Sequence, residues 1–273
     1  MNGARLAISA QSVVIAEACR QAAWEYCSQR RQFGKPLAEI GPVNEMLTRM
    51  DALTAASRAL LYETCKWVDL RDAWNYEAEA NPDNELAPAK SKEAAKVADA
   101  LTPMTKAFNT ESANKCAYDC IQCHGGKGYM RERPIERYYR DARIMNIYEG
   151  TTQMQVVAAT AGILKGSVEP LFDELEAYPY SEAAKSLLKK VMPERAHAKA
   201  ATEALAGATE LQAYLARHMV RANTIVFAAM LLLKEATLDE TRLGNARRFI
   251  VEYIPEAKMH SEIIIDTINQ GDN

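Results

Sequence analysis

The sequence predicts an all-α fold, and two observations carry that prediction. The residues that lose least on entering a helix, Ala, Leu, Glu, Lys, Arg and Met, are abundant, while Gly 12 and Pro 10 are few among 273 residues. Apolar residues also recur at helical spacing along most of the chain. A hydrophobic share of 48% supplies a large core and excludes wholesale disorder.

The elements follow in order. From Arg5 to Arg31, the residues Ile8, Ile15, Cys19, Ala22 and Tyr26 form one helical stripe, which stops at Phe33-Gly34-Lys35-Pro36. A second helix starts near Pro42 or Val43, carries Met46, Met50, Leu53 and Leu60 on one face, and continues toward Leu70. The polar stretch from Asn75 to Pro88 reads as a loop. A third helix runs from about Pro88 to Cys123 with Val97, Leu101, Met104 and Phe108 as its stripe, ends at Gly125-Gly126, and should kink at Pro103 unless the helix begins later. A charge-dense connector comes next, and Thr151 or Thr152 can cap a fourth helix reaching about Leu164. Beyond Gly166 the pattern is helical again, with breaks expected near Pro179, Pro193, Gly207, Leu238 and Pro255 and a fraying tail from Gln270 to Asn273. Two helical units result, 1–165 and 166–273.

Several function classes lose ground on composition. Lys+Arg 33 against Asp+Glu 36 gives a net charge of −3, which offers no general field for nucleic acid. The longest strongly apolar stretch, Thr224 to Leu233, is well short of the roughly 20 residues that cross a bilayer. Ser9, Gln11, Ser12 and Glu17 interrupt any signal-peptide core, so a cytoplasmic location is expected. The six cysteines sit in helix-like sequence, where reduced, buried thiols are the expected state.

Four motifs carry chemistry or its imitation. Cys120-Ile121-Gln122-Cys123-His124 matches the C-x-x-C-H pattern of haem attachment, but that chemistry needs an exported chain. No metal site is expected, because no second Cys pair is present and the other histidines are scattered. Gly125-Gly126-Lys127-Gly128 lacks the strand and helix of a dinucleotide fingerprint, so it reads either as a helix stop or as a close approach to a ligand. Arg30 and Arg31 are either a charged helix end or a pair of guanidiniums suited to a pyrophosphate. Glu149, between Tyr148 and Gly150 at a helix entrance, is either a dipole-stabilised acid or a general base with room beside it for a substrate.

Three segments taken in order remove much of this ambiguity: Arg30 to Leu37, Gln122 to Tyr129, and Arg140 to Gln155. Together they resemble the C-terminal helical domain of the acyl-CoA dehydrogenases, over about residues 1–165. The resemblance implies a four-helix up-and-down bundle, followed here by the kind of helical extension that longer members carry. It implies α,β-desaturation of an acyl-CoA thioester, with Glu149 removing the α-proton and FAD taking the β-hydrogen as hydride. The Glu149 N–H would polarise the thioester carbonyl. The same resemblance implies FAD contacts at Arg30, Arg31, Gln32, Gln122, Cys123, His124, Gly125 and Gly126, toward the cofactor of a neighbouring subunit. Thr151, Thr152 and Gln153 would contact flavin in the same active site, and Arg5 and Gly150 would border the substrate. A homo-oligomer, dimer or tetramer, is implied, with an electron-transferring flavoprotein as acceptor. Family members carry a helical domain and a β-domain ahead of this region, so a domain fragment that is inactive alone is expected. The alternatives are a non-catalytic oligomerisation or partner subunit, and part of an acyl-CoA oxidase.

Overall fold

The computed structural model describes residues 2–271. Helix α1 spans Asn2–Gln29 and leads through a tight hairpin, β1 (Arg31–Gln32) paired antiparallel with β2 (Lys35–Pro36), into α2 (Gly41–Ala80). Then come α3 (Leu86–His124), the single turn α4 (Gly126–Tyr129), α5 (Ile135–Met145) and α6 (Thr152–Leu164). The rest is α7 (Glu169–Glu176), α8 (Glu182–Gly207), α9 (Gln212–Leu238) and α10 (Leu243–Gly271). The all-α class expected from the sequence is the observed one.

Side-chain pairs give the directions of the helices. Between α1 and α2, Glu17 meets Arg58 while the later Arg20 and Trp24 meet the earlier Asp51. Between α2 and α3, Asn75 meets Ser91, Thr64 meets Thr105, and Arg49 meets Asp119. One number falls as the other rises, so these neighbours are antiparallel, as short connections require. Helix α6 runs back along α3, with Gly162 against Ala100 and Gly150 beside Lys106. Helices α1, α2 and α3, with the shorter α6 packed along α3, thus form the bundle.

Three sequence expectations need correction. The Asn75 to Pro88 loop is largely helix, because α2 continues to Ala80 and α3 begins at Leu86. Polarity misled there, since this end of α2 is mostly exposed and has little core to contact. No break occurs at Pro193 or Pro255, which lie inside α8 and α10. Each removes one helical hydrogen bond, from the carbonyls of Lys189 and Val251, and both residues face water that can take the bond. Helix α3 likewise runs through the buried Pro103. Gln270 and Gly271 belong to α10, and the remaining two residues of the expected frayed tail lie outside the described residues.

The apolar Thr224 to Leu233 stretch is buried in full. Helix α9 packs against α8 and α10 and against α2, α3 and α6, so this stretch of it is apolar all round. Among the described residues no helix is long and apolar enough to cross a membrane. Buried apolar contacts run without interruption from Ala16 in α1 to Ile264 in α10.

Candidate active site

The connector after α5 turns sharply before α6 begins. Thr151 is the helix cap, its hydroxyl accepting from the Met154 N–H at 3.5 Å. Glu149 has φ 55° and Gly150 φ 90°, so two successive residues are left-handed. For a glutamate this conformation is costly and needs support from its surroundings. Gly150 has no alternative, because a Cβ there would lie 2.7 Å from the Gln155 Nε2 as well as adopting that φ.

Two buried side chains, Lys106 and Gln155, support the turn from beneath. Lys106, 0% exposed on α3, donates from Nζ to the Tyr148 carbonyl at 2.7 Å and to the Gly150 carbonyl. Gln155, also 0% exposed, donates from Nε2 to the Glu149 carbonyl at 3.2 Å and to the Gly150 carbonyl at 2.9 Å. Burial pushes the Lys106 ammonium below the usual lysine range; the Arg5 charge adds to that and the Glu149 carboxylate opposes it. On the outer side Glu149 is exposed. Tyr148 donates its hydroxyl to Gln11 on α1, and Glu111 accepts from the Thr152 hydroxyl at 2.6 Å and from Asn146 at 3.0 Å. Thr152 and Gln153 also line a cleft of about 490 Å³ between the bundle and α9–α10.

The other candidate residues gather at the far end of α1 and α3. Arg30, Arg31 and Gln32 are exposed, and the hairpin tip holds Phe33 at φ 51° with 89% of its surface open. The Arg31 guanidinium donates to the Gly34 carbonyl at 2.7 Å. Gln122 is exposed, and Gly125, at φ 59°, ends α3 with open space where a side chain would stand; the same space exists at Gly126. Cys123 and His124 differ from their neighbours because their side chains turn into the core. The His124 ring stacks on Tyr26 at 4.5 Å and pairs through Nδ1 with the Cys120 carbonyl at 2.8 Å. A ligand at this turn therefore meets the main chain of these two residues. The α3 rise from Lys106 to Gln122 is roughly 24 Å, so the two groups are separate places on one chain.

Sequence reasoning singled out neither Lys106 nor Gln155. Lys106 lies on the opposite side of α3 from the Val97, Leu101, Met104 and Phe108 stripe, where a lysine reads as solvent-facing, so local pattern carries no signal for its burial.

Residues 1–164 match the family model described as "Acyl-CoA dehydrogenase, C-terminal domain". The chain belongs to the acyl-CoA dehydrogenase family through this domain. It is 39% identical over 164 residues to the 3-methylmercaptopropionyl-CoA dehydrogenase of Ruegeria pomeroyi, covering 57% of this chain and 26% of that protein. It is 34% identical over 168 residues to an acyl-CoA dehydrogenase of Bacillus subtilis, covering 61% and 38%. The chain thus spans about a quarter to two fifths of the length of these curated relatives. A crystal structure of an acyl-CoA dehydrogenase from Bacillus anthracis, complexed with FAD, matches 98% of this chain and 49% of that one, with a TM-score of 0.78 and 22% identity. That likeness is one of fold, and it includes the extension.

Proposed function

We propose that this chain forms the C-terminal part of a flavin-dependent acyl-CoA dehydrogenase that desaturates an acyl-CoA thioester between its α and β carbons. The observation that carries the reading is the Glu149 turn: an exposed carboxylate on a left-handed bend whose carbonyls are drawn into the protein. Glu149 takes the α-proton onto its carboxylate. Its N–H donates to the thioester carbonyl, where negative charge grows as the proton leaves. Gly150 leaves room for the substrate, and Arg5 adds positive charge beside the site. FAD, when bound, supplies the acceptor for the β-hydride.

The residues present fit that cofactor. Arg30 and Arg31 present guanidiniums suited to a pyrophosphate, Gln32 and Gln122 offer exposed amides, and Gly125 and Gly126 let main chain approach closely. Cys123 and His124 contribute backbone groups. Thr151, Thr152 and Gln153 border the flavin of the chain's own site. In this reading the hairpin and glycine-turn residues, roughly 24 Å along α3 from the Glu149 turn, contact the cofactor of a neighbouring copy in a homo-oligomer, dimer or tetramer, and that separation supports it. In this reading 1–165 is the catalytic bundle and 166–273 covers one face of it. The electron acceptor is an electron-transferring flavoprotein and the compartment is the cytoplasm.

The test is Glu149→Gln in the flavin-loaded enzyme that contains this chain. FAD content and melting temperature stay at wild-type values, while acyl-CoA-dependent bleaching of the flavin slows by about a hundredfold or more. Bleaching at the wild-type rate overturns the assignment of the base.

A further inference from the structure

We propose that Lys106 is a positioning residue for the proton-abstraction site, its buried ammonium fixing the direction of both the Glu149 carboxylate and the Glu149 N–H. The inference rests on the proposed role of Glu149 and adds a group that never touches substrate.

Peptide geometry supplies the first step. In a trans peptide the C=O of one residue and the N–H of the next point in opposite directions. The Tyr148 carbonyl is aimed inward at Lys106 Nζ, so the Glu149 N–H points outward. The Glu149 and Gly150 carbonyls are held inward by Gln155 and Lys106, which turns the next two N–H groups outward as well. Three consecutive carbonyls facing a buried cation and a buried amide thus leave the outer face of the turn with donors and one carboxylate.

The second step concerns cost. Burying an ammonium is unfavourable, and a methionine of similar length would fill the same space without it. The hydrogen bonds shown for the Lys106 ammonium go to main-chain carbonyls of the turn, Tyr148 and Gly150. What the ammonium adds is two strong, charge-assisted bonds to carbonyls on either side of a strained glutamate. Glu149 is also the carboxylate whose charge supports the Lys106 ammonium, so base and clamp sense each other across the turn.

The experiment has two arms. In this chain, hydrogen exchange of the 148–152 segment is compared between wild type and Lys106→Met, and the Lys106 ammonium protons are observed by nitrogen-labelled NMR. The expected result is at least a tenfold rise in exchange confined to the turn, with helicity retained, and slowly exchanging ammonium protons in the wild type. Unchanged exchange in the variant overturns the proposal. If the variant fails to fold, the wild-type NMR decides alone, and fast-exchanging ammonium protons overturn it. In the flavin-loaded enzyme containing this chain, Lys106→Met lowers kcat by about a hundredfold, with KM for acyl-CoA within about threefold and FAD content unchanged. Lys106→Ala regains activity with added ethylammonium, which a purely structural defect would not do. Wild-type kcat in Lys106→Met, alongside a silent Glu149→Gln, rejects this inference alone; an active Glu149→Gln rejects the proposed function itself.

Discussion

The crossing of α3 and α6 sets where the Glu149 turn can sit, and one glycine controls it. A Cβ on Gly162 would lie 2.7 Å from the Ala100 Cβ and 3.3 Å from its Cα, so something on a rigid helix must move. Gly162→Ala gains up to about 1 kcal/mol of helix propensity, less near a helix end. Overpacking costs about 1–3 kcal/mol, so the variant is destabilised by about 1 kcal/mol. Ala100→Gly loses about 1 kcal/mol of propensity and a similar amount for the buried methyl, about 2 kcal/mol in all. In the double variant the methyl simply moves from α3 to α6 and the propensities cancel. Its stability should return to near wild type, a coupling of about 3 kcal/mol from the shared contact. Denaturant unfolding followed by far-ultraviolet circular dichroism measures all four corners of this cycle. Equal additivity, or a Gly162→Ala variant more stable than wild type, would refute the close-contact account of α6.

Arg195→Met tests the extension: the guanidinium is 3% exposed, bonds Glu169 at 2.6 Å and Glu176 at 3.1 Å, and lies 4.0 Å from the Phe172 ring centroid. Its loss should cost about 2–4 kcal/mol in an unfolding titration, less than a fully buried pair because both carboxylates keep some water. Acid should weaken the α9–α10 contact. Burial pushes Glu256 up, but hydrogen bonds from His260 and Arg221 outweigh it and leave the carboxyl at about 2, below its usual 4.5. A depressed carboxyl stabilises the fold above the unfolded value and loses that contribution as pH falls from 4.5 toward 2, so Glu256→Gln should flatten this part of the stability profile. Arg30→Ala and Gln122→Ala should lower FAD retention on gel filtration of the loaded enzyme without altering its melting profile in excess FAD. Undiminished retention would count against those contacts.

Several features were legible in the sequence because they depend on local chemistry. Glycine at 125 ends α3 and Thr151 caps α6, since a left-handed stop and a capping hydroxyl act within one turn of helix. Glu149, too, could be singled out by its neighbours alone. The helical ends around Asn75 to Pro88 are not legible in the sequence because polarity reports exposure, and an exposed helix end is as polar as a loop. Pro193 and Pro255 do not end their helices because the carbonyl each one frees faces solvent, which a proline in the sequence does not reveal.

By itself the sequence determined the helical class, those helix ends that a glycine or a capping hydroxyl sets locally, and the family that three ordered motifs define. Only the tertiary structure decided which polar residues face inward. A lysine on a long helix normally keeps its charge in water, and whether it does depends on what packs over it. Here α6 and the Glu149 turn cover α3, so Lys106 and Gln155 meet three carbonyls distant in sequence from at least one of them. The His124 ring turns away from solvent where Tyr26 of α1 lies over it, and Cys123 is buried beside Cys27 of the same helix. Local propensity acts over a few residues, whereas burial of a charge or ring is fixed by partners that only folding brings within reach.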